Sequence, residues 1–315
     1  MKKVFTLIFL IGATLISSAQ YTEIINSKRP GFSESPYSIG TDVFQFETGL
    51  FYKSDNNTSI IAKPETFGGE LFFRYGKFFE KLELNAKIKY QNDKVKAVFG
   101  DNYTIYGISE LTIGAKYLIY QQEYTDKSKE IRSWKRRMAF DKKRLIPSVG
   151  IYAGINTNFI GNDYKDEGIS YKGAVLLQND FSNRFIVLTN LIVDNITSKN
   201  MFYSHIITAT YAVRERWSFF IENQGIYQKD YAPKINNGIG LAYLYNRNLQ
   251  LDASVRTNFF DDYSFVYSAI GASWRLDKHS DEIINKSSPN SAFYSKKRRG
   301  KRRGNFFSRL FKKKK

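Results

Sequence analysis

The sequence predicts an all-β fold, a transmembrane up-and-down antiparallel β-barrel of about twelve strands, and three observations support that reading. From Asp42 to Asp277, apolar and polar residues alternate in segments of about ten residues, separated by connections rich in Gly, Asn, Asp and Lys. The polar faces carry charge deep inside these segments, at Glu47, Glu70, Arg74, Glu83, Lys87, Lys89, Glu110, Lys116, Lys172, Asp252 and Arg256, the positions that would line a lumen. Aromatic residues recur near segment ends on the apolar face, among them Tyr52, Tyr75, Tyr90, Tyr117, Tyr227, Tyr245 and Trp274, where two interfacial girdles would sit. A soluble β-sandwich would share the alternation, but the deep charges and the girdles favour a barrel.

Taken in order, residues 1–19 read as an export signal. Lys2 and Lys3 precede an apolar run of 13 residues, Val4 to Ile16, and Ser17-Ser18-Ala19 offers a cleavage site after Ala19. At about 1.5 Å per residue the run is too short to cross a hydrocarbon core of roughly 30 Å. No later stretch resembles a spanning helix, and the mean hydropathy is −0.42. The expected location is therefore the outer membrane of a Gram-negative bacterium. Residues 20–41 form an N-terminal periplasmic segment, short enough to plug or line a modest pore, and residues 42–277 form the barrel. Strands are expected at 43–53, 66–76, 82–91, 109–120, 147–158, 169–178, 185–194, 202–213, 217–227, 237–245, 249–259 and 265–276. The clearest is 249–259, where Leu249, Leu251, Ala253, Val255, Thr257 and Phe259 alternate with Gln250, Asp252, Ser254, Arg256 and Asn258. The lumen charges fit either of two roles, selecting a permeating solute or forming a network that fills a narrow barrel.

The chain has 48 Lys and Arg against 30 Asp and Glu, a net charge of +18. That excess is localised. With Lys2, Lys3 and the 12 basic residues of 296–315 set aside, residues 4–295 carry +4. The connection 121–145 alone holds +5, including Arg132, Lys135, Arg136 and Arg137, so the barrel proper is close to neutral. An even strand number places this insertion on the same periplasmic side as both termini. The tail, 278–315, includes Lys297, Arg298, Arg299, Arg302 and Arg303, with Phe306, Phe307, Leu310 and Phe311 among the cations. It suits an anionic membrane surface or an anionic periplasmic partner, and a solvated, disordered tail is the alternative. Export argues against nucleic acid.

Catalytic and metal chemistry find little support. With no Cys there is no thiolate site and no disulfide. His205 has Ser204 beside it, and adjacent strand positions point to opposite faces, so the two do not form a nucleophile and base pair. Asp163, Asp166 and Glu167 lack the spacing of a calcium loop. No cofactor and no enzyme activity are expected.

The opening Ser27-Lys28-Arg29-Pro30-Gly31-Phe32-Ser33-Glu34-Ser35-Pro36, followed by Phe44-Gln45-Phe46-Glu47-Thr48-Gly49, resembles the bacterial outer-membrane family named for the MetA-pathway of phenol degradation. The later stretches 114–117, 215–222, 238–243, 249–252 and 270–275 are similar to that family in order and spacing, so the resemblance covers roughly 28–277. Arg29, Pro30, Ser33, Glu34, Ser35 and Pro36 carry the opening motif. Gly31 and Phe32 depart from it, being usually polar or acidic, and the 121–145 insertion and the tail are longer and more basic than the pattern. Gly271 to Leu276 also resembles the terminal-strand motif read by barrel assembly machinery, although here about 39 residues follow it. The resemblance implies an outer-membrane transporter or channel for small aromatic or hydrophobic solutes. The competing expectation is a non-transport envelope protein whose basic segments attach to peptidoglycan, anionic lipid or a protein partner.

Overall fold

The computed structural model describes residues 24–57, 62–97, 101–124, 133–134, 140–165, 168–260 and 263–278. Twelve strands follow one another: β1 (Val43–Asn57), β2 (Ala62–Gly76), β3 (Leu82–Ala97), β4 (Tyr103–Tyr120), β5 (Ser148–Asn156), β6 (Ser170–Asp180), β7 (Phe185–Ile196), β8 (Phe202–Ala212), β9 (Trp217–Gln228), β10 (Lys234–Asn246), β11 (Leu249–Phe260) and β12 (Tyr263–Asp277). Each pairs antiparallel with its sequence neighbours, and β1 pairs with β12 from Val43↔Asp277 to Asn57↔Tyr263, which closes the barrel. Closure leaves no edge strand, so the strands pair around the ring without needing water as a partner.

The two faces are reversed relative to a soluble protein. On the outside, Ile221, Ile239 and Ile270 are 67%, 63% and 63% exposed in the middle of their strands, a surface suited to lipid and not to water. On the inside, Arg74, Lys116, Glu47, Glu83, Glu222 and Arg256 are almost wholly buried. Outward aromatic rings pack across strands near the mouth where β1 begins and β12 ends, here the proximal mouth: Phe44 stacks on Tyr75 at 4.2 Å and Phe46 on Trp274 at 5.8 Å.

Four strands run further than the sequence pattern suggests. The β1–β2 and β3–β4 hairpins extend to Asn57, Ala62, Ala97 and Tyr103 at the distal mouth. The reason lies in β3: beyond Tyr90 its outward positions become Asn92, Lys94 and Lys96, so the apolar face stops while the pairing with β4 continues to Val95↔Tyr103. Beyond the hydrocarbon, pairing needs no apolar face. Residues 157–165 of the next distal connection fold back on this rim, with Gly161 N–H donating to Ile108 O at 2.8 Å and Tyr164 Oη to Asp93 Oδ2 at 2.8 Å.

The described part of the N-terminal segment, residues 24–41, runs inside the barrel. Ile25 N–H donates to Arg247 O (2.9 Å) in the β10–β11 turn, the chain crosses to mid-barrel, and Gly40 lies against Gly76 where the segment returns to β1. That return uses left-handed backbone at Gly40 (φ 89°) and Asp42 (φ 56°).

Candidate functional site: a laced plug beneath an amphipathic cavity

An irregular segment inside a barrel must find partners for its backbone N–H and C=O groups. Strand side chains supply them. Glu47 Oε2 accepts from Lys28 N–H (3.1 Å) and Arg29 N–H (3.3 Å), Glu222 Oε2 from Phe32 N–H (2.8 Å), and Glu83 Oε2 from Ile39 N–H (3.2 Å). Asn190 uses both ends of its amide, accepting from Glu34 N–H at 2.6 Å and donating to Glu34 O at 2.8 Å.

Ion pairs tie the rest. Arg74 makes a bidentate contact to Glu83 (2.7 and 2.8 Å), reaches Glu47 at 3.2 Å and donates to Asn26 O. Lys116 lies 3.2 Å from both Glu83 and Glu34. Arg256 binds Glu222 (3.0 Å), donates to Pro30 O (2.8 Å) and lies 3.5 Å over the Phe32 ring. Burial alone would raise the Glu34 carboxyl, but the Lys116, Lys28 and Arg74 cations outweigh it and hold it below its ordinary value.

Arg29 is the latch of this lacing. Its guanidinium reaches Asp252 at 3.1 Å and also pairs with Glu70. It fits because Gly49 of β1 and Gly271 of β12 are cross-strand partners with no side chains, so together they leave a slot that a Cβ on either would fill. The other motif residues are seated as well: Ser35 Oγ donates to Gln178 (2.7 Å), Pro36 packs against Gly150, and Ser33 is buried with its N–H directed at Glu222 (3.3 Å).

The eleven charged strand residues fall into two groups. Glu47, Arg74, Glu83, Lys116, Asp252 and Arg256 are buried in the lacing, whereas Glu70, Lys87, Lys89, Glu110 and Lys172 border open space above it. There Lys87 pairs with Glu110 at 2.8 Å and Lys172 with Asp194 at 2.6 Å. On the β1–β12 side the space is filled by Phe51, Tyr267, Phe265 and Ala269 with Phe32 against them. What remains is a cavity of about 250 Å³, floored by Lys28, Arg29, Gly31, Phe32 and Glu34. One wall is ionic, from β3 and β4. The facing wall, on β6 to β9, is mostly apolar, from Ala174, Leu176, Ile192, Phe202, Ile206 and Ile226, with Asn190, Ser204 and Gln224 among them and the Lys172–Asp194 pair at its edge. A second, more polar cavity of about 420 Å³ lies toward the distal mouth, and both are bordered by Lys87, Glu110, Lys172, Asp194 and Phe202.

Several of these residues escape a reading of the sequence. Glu222 shares a face with Ser218, Phe220 and Gln224, so its alternation could have placed it, but the run around it is too apolar to stand out. The apolar wall has a signal in β7, FIVLTNLIVDNI, where both faces are apolar. The Gly49–Gly271 slot has none, because it exists only once β1 meets β12. His205 points outward, its Nε2 3.2 Å from Asn223 Oδ1, while Ser204 is buried on the lumen side. Among the described residues no acidic or histidine cluster could hold a metal ion, and Asp166 and Glu167 lie outside them. Arg132, Lys135, Arg136, Arg137, Lys297, Arg298, Arg299, Arg302 and Arg303 also lie outside the described residues.

The model of the family described as "Putative MetA-pathway of phenol degradation" matches residues 27–276, which spans both the laced segment and all twelve strands. The chain belongs to that family. Among solved structures, this family member is similar to the COG4313 outer membrane channel from Pseudomonas putida F1, at 10% identity and a TM-score of 0.57, over 80% of this chain and 100% of that one. It is more distantly similar to the translocator domain of the autotransporter NalP from Neisseria meningitidis, at 9% identity and a TM-score of 0.45, over 75% and 89% of the two chains. A monoaromatic hydrocarbon channel, CymD, gives 10% identity and a TM-score of 0.40, over 76% and 90%. No curated protein sequence matches the chain. The barrel fold is that of the COG4313 outer membrane channel.

Proposed function

We propose that the protein is an outer-membrane channel for small, largely apolar ring compounds, closed at rest by residues 24–41, with the proximal mouth facing the periplasm. The observation that carries this reading is the cavity between the apolar β6–β9 wall and the ionic β3–β4 wall. A structural filler would leave no such space; a cavity with one apolar wall and a few polar groups is the usual form of a small-molecule site. The lacing below it explains how a barrel with a solute path can still be tight, because the segment is held by contacts that can be lost without unpairing a strand.

Planar-bilayer recording and liposome permeation of small phenolic solutes test the proposal. The wild-type chain should give brief, low conductance, and Arg29→Ala should raise both the open time and the flux. Absence of conductance and flux in both proteins would overturn it.

A further inference from the structure

The charges are not balanced where the distal cavity meets the proximal one. Lys87 is matched by Glu110 and Lys172 by Asp194. A third cation, Lys89, borders the distal cavity on the same strand face as Lys87. Among the described residues it has no carboxylate within ion-pairing distance; its Nζ instead lies 4.8 Å over the ring of Phe51. The distal cavity is therefore lined by three ammonium groups and two carboxylates, and Glu70, the cross-strand partner of Lys89, is committed to Arg29. Each ammonium carries three donors and no acceptor, so after pairing the site keeps spare N–H donors. Directly beyond it, Phe202, Ile206, Ile192 and Leu176 offer a surface for a ring.

We infer that this junction is a binding site for ring compounds bearing a carboxylate, with the carboxylate held at Lys89 and the ring laid on the β6–β9 wall. The inference rests on the channel reading above and refines its solute class. A ring without charge gains the apolar wall but leaves Lys89 without an anion. A cationic ring meets three like charges. A carboxylate completes the pairing and lends its apolar body to the facing strands, and a charged side chain in a pore constriction selects by sign in this way.

Benzoate, benzamide and benzamidinium have nearly the same shape and differ in charge, so they separate the contributions. Flux of each into liposomes holding the full chain, corrected for protein-free liposomes, should favour benzoate over benzamide by about threefold or more, the scale of one partly solvated ion pair, and benzamidinium should be slowest. Lys89→Gln should bring the benzoate to benzamide ratio toward one, while Lys96→Gln, on the outer rim and paired with Glu65, should leave it unchanged. Equal fluxes in the wild type, or a ratio untouched by Lys89→Gln, would overturn the inference and leave the channel standing. Benzoate binding to the detergent-solubilised chain by saturation-transfer NMR, with no flux of any probe, would instead keep the site and overturn the channel. Neither binding nor flux would overturn both.

Discussion

The proximal and distal halves of the lumen use the same side chains for opposite ends. Arg74, Glu47 and Glu83 have side chains only 0–2% exposed, whereas those of Lys87 and Glu110 are 28% and 29% exposed, although both sets are Lys or Arg facing Glu across neighbouring strands. In the proximal half the charges are dry and bound to the backbone of residues 24–41. In the distal half they stand at the edge of a cavity. Hydration, not residue type, separates a lock from a lining: a dry pair is costly to break because the survivor has no water to turn to, and a wet pair is cheap to break because it does.

The sharpest way to break this comparison is Arg74→Ala. It leaves Glu47 and Glu83 facing each other without their shared cation and Asn26 O with one donor, Gln45 Nε2, in place of two. Loss of one partner from a buried ionic set costs about 3–5 kcal/mol. Urea unfolding in detergent, followed by the loss of heat-modifiable mobility, should show a large fall in the midpoint. A variant as stable as the wild type would show the proximal half to be wet.

A smaller effect is expected from the latch. Gly49→Ala fills the slot for the Arg29 guanidinium without touching a charge, and Arg29→Ala removes the guanidinium itself. Hydrogen bonds to charged groups are worth about 1.5–3 kcal/mol each, so both variants should release residues 24–41 while strand pairing persists. Single-channel open probability should rise at least tenfold in both. Arg29→Lys should not restore closure, because an ammonium cannot span Glu70 and Asp252 as the planar fork does.

The barrel was legible in the sequence and the latch was not, and the cause is the range of the interaction. Period-2 alternation is a local property, so Leu249 to Phe259 announces its two faces without reference to any other strand, and the twelve strands follow from repeating that reading. It ends where lipid ends, which is why β3 runs on past Tyr90. By contrast, Gly49 and Gly271 become partners only when the first and last strands close the ring. Glu47 reads as a charge on a polar face, and nothing local reveals that its acceptor capacity is spent on Lys28 and Arg29 N–H groups. The apolar run of β7 carries a local signal that plain alternation passes over, and its meaning depends on the charged groups facing it.

Acid should weaken the lacing more gently. The Glu34 carboxyl is held below its ordinary value of 4.5, since Lys116, Lys28 and Arg74 override the effect of burial. A group whose folded value is depressed contributes stability above its unfolded value and loses it as the pH falls below. Closure should therefore be tightest at pH 7 and loosen progressively below pH 4.5, read as rising open probability or faster amide exchange in residues 24–41. Glu34→Gln should have raised opening at pH 7 and a shallower acid response. An identical pH profile in the variant would assign the acid effect to other carboxylates.

The smallest expected effect tests the distal half. Glu110→Gln removes one charge from a pair whose partners are both partly solvated, and Lys87 keeps water and the nearby Glu70 as neighbours. A pair of this kind contributes about 0–1 kcal/mol, so the urea midpoint should move little beside the Arg74→Ala result. The solute path should respond instead, because the junction then holds three cations against the one carboxylate of Asp194. Reversal potentials in a salt gradient should shift toward anions. A fall in stability comparable to that of Arg74→Ala would erase the distinction between the halves, since it would mean that water does not reach the distal pair and that its exposed oxygen atoms face a space solvent cannot enter.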